Sequence, residues 1–185
     1  MCINKNEVTN YENLNKFANK NSVVVLGSTF MHDVPMAELR QSFGIHADVY
    51  NRSLTDLKVS EAKDIVEGIM QDLNPKRILL QLGEVEMNEP ATNVANLMKD
   101  YKTIIATIRR LNKKCKIVVV SINDTEDNIR RDFYNKSLEE LCTSEKCQFA
   151  DISVGKKSES SQINAFMNLK FFLTDDVADA LSFAI

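Results

Sequence analysis

The feature that most narrows what this chain can fold into is an alternation. Short β-branched runs recur along it, each followed by a longer stretch of helical periodicity. That pattern belongs to a parallel sheet with helices packed on its faces. The runs predict strands at 22–27, 47–51, 77–83, 116–122 and 148–152. VVVL and KIVVVSI are almost wholly apolar, as central parallel strands must be when both faces are buried. Helices are predicted at 7–20, 35–43, 60–73, 93–112 and 127–142. Pro35 suits a first helical turn, Ser60 precedes an acidic first turn, and Pro75 follows a helix end. GKKSESSQ reads as exposed loop, and NLKFFLTDDVADALSFAI as an apolar run with a short terminal helix. The expected architecture is a three-layer α/β/α domain with a five-stranded parallel sheet, one domain over 1–185 with a helical lead-in at 1–21.

Length and composition support one core. A chain of 185 residues buries enough apolar surface to fold without metal or disulfide staples. Hydrophobic residues at 44%, charged residues at 26% and a net charge of -3 describe a soluble globular protein and give no reason to expect nucleic acid. The polar N-terminus MCINKNEVTNYENLNKF has no apolar core of the kind a signal peptide or membrane anchor needs, so a cytoplasmic location is expected. Cys2, Cys115, Cys142 and Cys147 lack paired zinc spacing and read as free thiols. Cys115 reads as a buried small hydrophobe, and a regulatory disulfide between Cys142 and Cys147 is the less favoured alternative.

In an open α/β sheet, ligands bind where loops converge at the carboxyl ends of the strands. That rule selects Gly27-Ser28-Thr29, Asn51-Arg52-Ser53, Gly83-Glu84-Val85-Glu86 and Asn123-Asp124, with Asp175 and Asp176 in a loop able to return to the same edge. The five glycines build neither GxGxxG nor GxxxxGK[ST], which argues against dinucleotide or P-loop chemistry. A phospho-acceptor receiver would need acidic residues after strand one, and LGST offers none.

VVVLGSTFMHDVPMAEL resembles the first block of the SGNH or GDSL-type hydrolases, in particular small bacterial members, where an apolar strand ends in G-D-S or G-S-S. VYNRSL resembles their second block, usually V-x-N-R-G-I. RILLQLGEVEMN stands in place of the third, which ends in G-T-N-D, and LTDDVADAL in place of the last, D-x-x-H. The likeness runs from about Val23 to the C-terminus and implies the flavodoxin-like SGNH-hydrolase fold. It also implies an ester or acyl hydrolase in which a serine attacks a carbonyl, a histidine takes its proton and an aspartate orients the imidazole. Preorganised N–H groups would then hold the oxyanion.

Carried onto this chain, the serine position falls on Thr29, a hydroxyl on a stiffer β-branched residue. The oxyanion positions fall on the Thr29 N–H, on Ser53 in place of glycine, and on Val85 in place of asparagine. The triad acid falls on Asp175 or Asp176, which puts the histidine position on Ala178 or Asp179. Loss of the imidazole weighs most, because a neutral hydroxyl is a poor nucleophile. Losing one oxyanion donor costs roughly 10²- to 10³-fold in rate. The expectation is therefore a hydrolase-like domain with little or no esterase activity and no cofactor, able to keep a pocket for a small acyl or carbohydrate ligand or for a protein partner. A remodelled esterase using Thr29, or a non-catalytic interaction module, stands as the alternative.

His32 and His46 are the only histidines. His32, three residues after Thr29, is the one imidazole that can substitute as base, against the plainer reading of a polar rim residue; His46 precedes strand two and is given no role. Glu84, Glu86 and Asp33 can gather with Asp175 or Asp176 as an acidic mouth, read as solvated charge rather than a metal site. Arg52 reads as structural, pairing with a carboxylate or with carbonyls. RRLNKKCK reads as a solvated helix end, where cations favour the negative pole of the dipole.

Overall fold

Five strands, β1 (Val23–Gly27), β2 (Val49–Asn51), β3 (Arg77–Gln81), β4 (Lys116–Val120) and β5 (Gln148–Ala150), stand in the order β2-β1-β3-β4-β5, every neighbour parallel. The computed structural model describes residues 5–123, 127–152 and 173. Helices lie between the strands: α1 (Lys5–Asn15), α2 (Thr29–Asp33), α3 (Met36–Ser42), α4 (Val59–Gln71), α5 (Glu84–Met87), α6 (Val94–Leu111) and α7 (Asn128–Glu145). This is the α/β architecture the alternation predicts, in the flavodoxin-like order.

Topology decides which face each helix covers. The step from β1 to β2 runs one way along the sheet, and the three later steps run the other way. With right-handed crossovers, α2 and α3 fall on one face and α4, α6 and α7 on the other. The core divides accordingly. Val24, Leu26, Ile78, Leu80, Ile117 and Val119 join Val66, Ile69, Tyr101, Ile104, Ile108, Tyr134 and Leu138. Val23, Val25, Leu79, Val118 and Val120 join Met31, Val34, Met36 and Leu173. Strand residues alternate between these two cores with period two, so each β-branched run fills both.

The ladders are shorter than the apolar runs. Leu82 and Ile122 are fully buried yet lie past the ends of β3 and β4. Side chains take over their backbone groups. The Tyr101 hydroxyl accepts from Leu82 N–H at 3.0 Å, and the Tyr134 hydroxyl donates to Leu82 O at 3.0 Å. Asn135 brackets Ile122, accepting from its N–H and donating to its carbonyl, both at 2.9 Å.

Two short helices, α2 and α5, were expected as loop. A glycine stands just ahead of each, Gly27 at the end of β1 and Gly83 as the N-cap of α5. A Cβ on Gly27 would lie 2.6 Å from Met31 Cβ, and Gly83 has φ 107 with the Tyr134 hydroxyl 2.1 Å from where its Cβ would be. Only glycine lets the chain turn into a helix that tightly.

Candidate active site

Thr29 opens α2 at the carboxyl end of β1, where the block likeness places the nucleophile. Its hydroxyl is engaged in both directions. Thr29 Oγ1 donates to Asp56 Oδ1 at 3.2 Å and accepts from Asp56 N–H at 3.0 Å. Asp56 holds that ring from a left-handed backbone, φ 55, in the turn after β2. Such a conformation on a non-glycine residue is worth a look wherever a candidate site lies.

The imidazoles are elsewhere. His32 Nδ1 lies 2.9 Å from Asp33 Oδ1 and His32 Nε2 lies 3.7 Å from Glu7 Oε1, so carboxylates face both ring nitrogens. His46 is exposed between α3 and β2, at the amino end of the sheet and so at the edge opposite Thr29. Asp175, Asp176, Ala178, Asp179 and Asp124 lie outside the described residues.

By sequence, no family model and no curated protein matches the chain. By structure, several solved proteins do. A Streptococcus pneumonia protein provisionally called a platelet activating factor aligns at TM-score 0.78 and 16% identity, over 91% of this chain and 92% of its own. A GDSL-like lipase from Bacteroides thetaiotaomicron aligns at TM-score 0.70 and 13% identity, over 96% and 98%. A family 3 carbohydrate esterase from Talaromyces cellulolyticus aligns at TM-score 0.68 and 14% identity, over 82% and 95%. The chain has the SGNH-hydrolase fold.

The structure describes Ser53 and Val85, the two positions that the block likeness assigns to the oxyanion beside Thr29. Ser53 N–H donates to Asn51 Oδ1 at 3.1 Å, so that donor is turned inward. Val85 sits on α5 with no polar side chain to offer. Beside it Glu84 Oε2 accepts from Phe30 N–H at 3.2 Å, placing a carboxylate next to the Thr29 turn. Negative charge there opposes an oxyanion rather than stabilising it.

Arg52 is buried, and of its two expected kinds of partner, a carboxylate or carbonyls, it takes carbonyls. It lies between two phenol rings, its guanidinium carbon 5.1 Å from the Tyr11 centroid and 5.2 Å from the Tyr50 centroid. Nε donates to Asn15 Oδ1 at 2.9 Å and Nη1 to Asn51 O at 3.1 Å. Burial pulls its pKa below the ordinary value, while the neighbouring rings push the other way. The two π-faces are the partners that the sequence reading did not include.

Among the described residues, Glu84, Glu86 and Asp33 do not gather as an acidic cluster. Glu86 is buried, with Oε1 accepting from Val59 N–H at 2.7 Å at the start of α4 and Oε2 unpartnered. Burial raises its pKa, and the Val59 hydrogen bond offsets part of the rise. Asp33 pairs with His32. Among the described residues no group of three or more His, Cys, Asp or Glu side chains is placed to hold a metal ion, and no helix is long and apolar enough to cross a membrane.

At the strand ends several buried polar atoms have no partner: Ser28 Oγ, Ser53 Oγ and both amide atoms of Gln81. A sizeable hollow lies elsewhere. An open groove of about 1020 Å³ runs between α6 and α7, walled by Val94, Met98, Phe133 and Leu141 with Lys99 and Glu140 at its rim. Asp56, Asn51 and Glu84 are the site residues that sequence reasoning did not assign to these roles. The only signal for Asp56 was a T-D pair in a turn, SLTDL.

Proposed function

We propose that the chain is a non-hydrolytic protein on the SGNH fold, keeping the strand-end crevice as a binding place for a small acyl or carbohydrate ligand. One observation carries the first half of this reading. The sequence holds two histidines; one lies at the opposite edge of the sheet and the other faces carboxylates on both nitrogens, so no imidazole serves Thr29. The engaged Ser53 N–H and the Glu84 carboxylate support the same conclusion. The unpartnered Ser28, Ser53 and Gln81 atoms support the second half, since buried polar groups are nearly always satisfied by something.

A second reading is a remodelled esterase, favoured by the Thr29 hydroxyl donating to Asp56, which is the geometry of a nucleophile with its base. A carboxylate is by nature a much weaker base than an imidazole, and this places the reading second. The third, a non-catalytic interaction module, would use the α6–α7 groove.

Hydrolysis of p-nitrophenyl acetate and labelling by a fluorophosphonate probe separate the first two readings. The expected result is no probe on Thr29 and the same background rate for wild type, Thr29→Val and Asp56→Asn. Turnover in the wild type that both substitutions abolish would establish the esterase.

A further inference from the structure

We propose that Cys142 and Cys147 form a dithiol site that closes to an intramolecular disulfide by exchange with a small-molecule disulfide. The two residues bracket the C-terminal turn of α7. Lys146 is left-handed, φ 53 and ψ 45. Cys147 N–H donates to Cys142 O at 2.9 Å, and Lys146 N–H to Thr143 O at 3.4 Å. These are the outer and inner bonds of a Schellman turn, whose outer pair is also the pair of side chains that commonly touch. With one residue's nitrogen 2.9 Å from the other's carbonyl oxygen, backbone dimensions hold the two Cα atoms within about 7 Å. Disulfides bridge separations up to about that limit. The thiols also sense each other, since Cys147 is among the groups that raise the Cys142 pKa.

The surroundings divide the roles. Cys147 is half-buried; burial, with Glu145, raises its thiol pKa, while Arg109, whose Nη2 donates to Sγ at 3.6 Å, opposes the rise. Cys142 is buried, which pushes its thiol up to about 12. Cys147 is therefore the entry thiol. Its thiolate attacks one sulfur of the co-reactant R–S–S–R, giving a mixed disulfide and R–S⁻. The Cys142 thiolate then attacks the Cys147 sulfur and expels the second R–S⁻. The two released thiolates take up the two protein thiol protons; the protein loses two electrons and the co-reactant gains them. Closure lifts the Cys147 sulfur off Arg109 and fixes the end of α7 beside Leu141 and Ser144, which wall the α6–α7 groove.

The test uses the full chain with Cys2→Ser, leaving three thiols, held folded in excess oxidised glutathione and then analysed by mass and peptide mapping. The expected product has lost two hydrogens, carries a Cys142–Cys147 cross-link and keeps Cys115 titratable. Cys142→Ala, a small apolar replacement for a buried thiol, should stop at a glutathione adduct on Cys147. Cys147→Ser should gain neither adduct nor cross-link. Four results overturn the proposal: three unreacted thiols, glutathione retained on Cys147 in the presence of Cys142, a cross-link through Cys115, or closure seen only in urea. Cys115 makes the mapping decisive, because it lies just ahead of β4 in the same core.

Discussion

Behind β3 and β4, side chains satisfy the backbone as the chain leaves the sheet, although the Gln81 amide at the end of β3 has no partner; behind β1 and β2, two buried hydroxyls are left unsatisfied beside Thr29. Tyr101, Tyr134 and Asn135 between them meet the polar backbone of Leu82 and Ile122. On the other side Ser28 Oγ and Ser53 Oγ are buried with no partner, and Thr29 relies on a strained Asp56. The first region reads as scaffold. The second combines unpartnered hydroxyls with the left-handed Asp56, features that tend to gather where a fold serves something other than stability.

The comparison is sharpest at Asn135. Asn135→Leu orphans two buried backbone groups at once and should cost about 2–4 kcal/mol in urea unfolding; a cost near zero would mean that β4's end needs no such bracket. Next comes Arg52, which holds the β2 turn from below. Arg52→Met keeps much of the packing but loses the ring stack and the Asn15 bond, for an expected loss of about 1–2 kcal/mol. Arg52→Lys should recover little of it, because a point charge cannot replace the planar fork. The smallest effect has the opposite sign. Ser53→Ala removes a buried hydroxyl that has no partner and should raise stability by up to about 1 kcal/mol. A loss instead would mean that the hydroxyl holds a water or ligand in solution, and the contrast between the regions would fail.

The sheet was legible because its signal is local. VVVL and KIVVVSI announce buried strands by composition alone, and each predicted strand lies on an observed one. Their ends were less legible, because Leu82 and Ile122 look like strand residues and only the distant Tyr101, Tyr134 and Asn135 take them out of the ladder. The order of blocks located Thr29, Ser53 and Val85 at the strand ends. It did not locate the partners of Thr29 and Ser53. Asp56 reaches Thr29 across 27 residues and Glu84 reaches Phe30 across 54, and no periodicity or spacing encodes such pairings. His32 illustrates the limit most clearly. Nearness in sequence suggested a base for Thr29, but the ring turns to Asp33 and to Glu7 on another element.

Glu7, Tyr11, Asn15 and Asn19 recur every fourth residue, and each reaches beyond its own segment. Glu7 meets His32, Tyr11 donates to Ser53 O, Asn15 bonds both Arg52 and Ile69 O, and Asn19 bonds Tyr50 and Asp48. The stripe is polar, so the apolar periodicity that marks most docked helices is faint there, and the segment reads in sequence as a mere lead-in. For anyone trimming this protein to its smallest working piece, the boundary therefore falls ahead of Glu7 rather than at Ser22. A fragment cut at the first strand would keep every strand of the sheet and still leave the Arg52 side chain with its main acceptor removed.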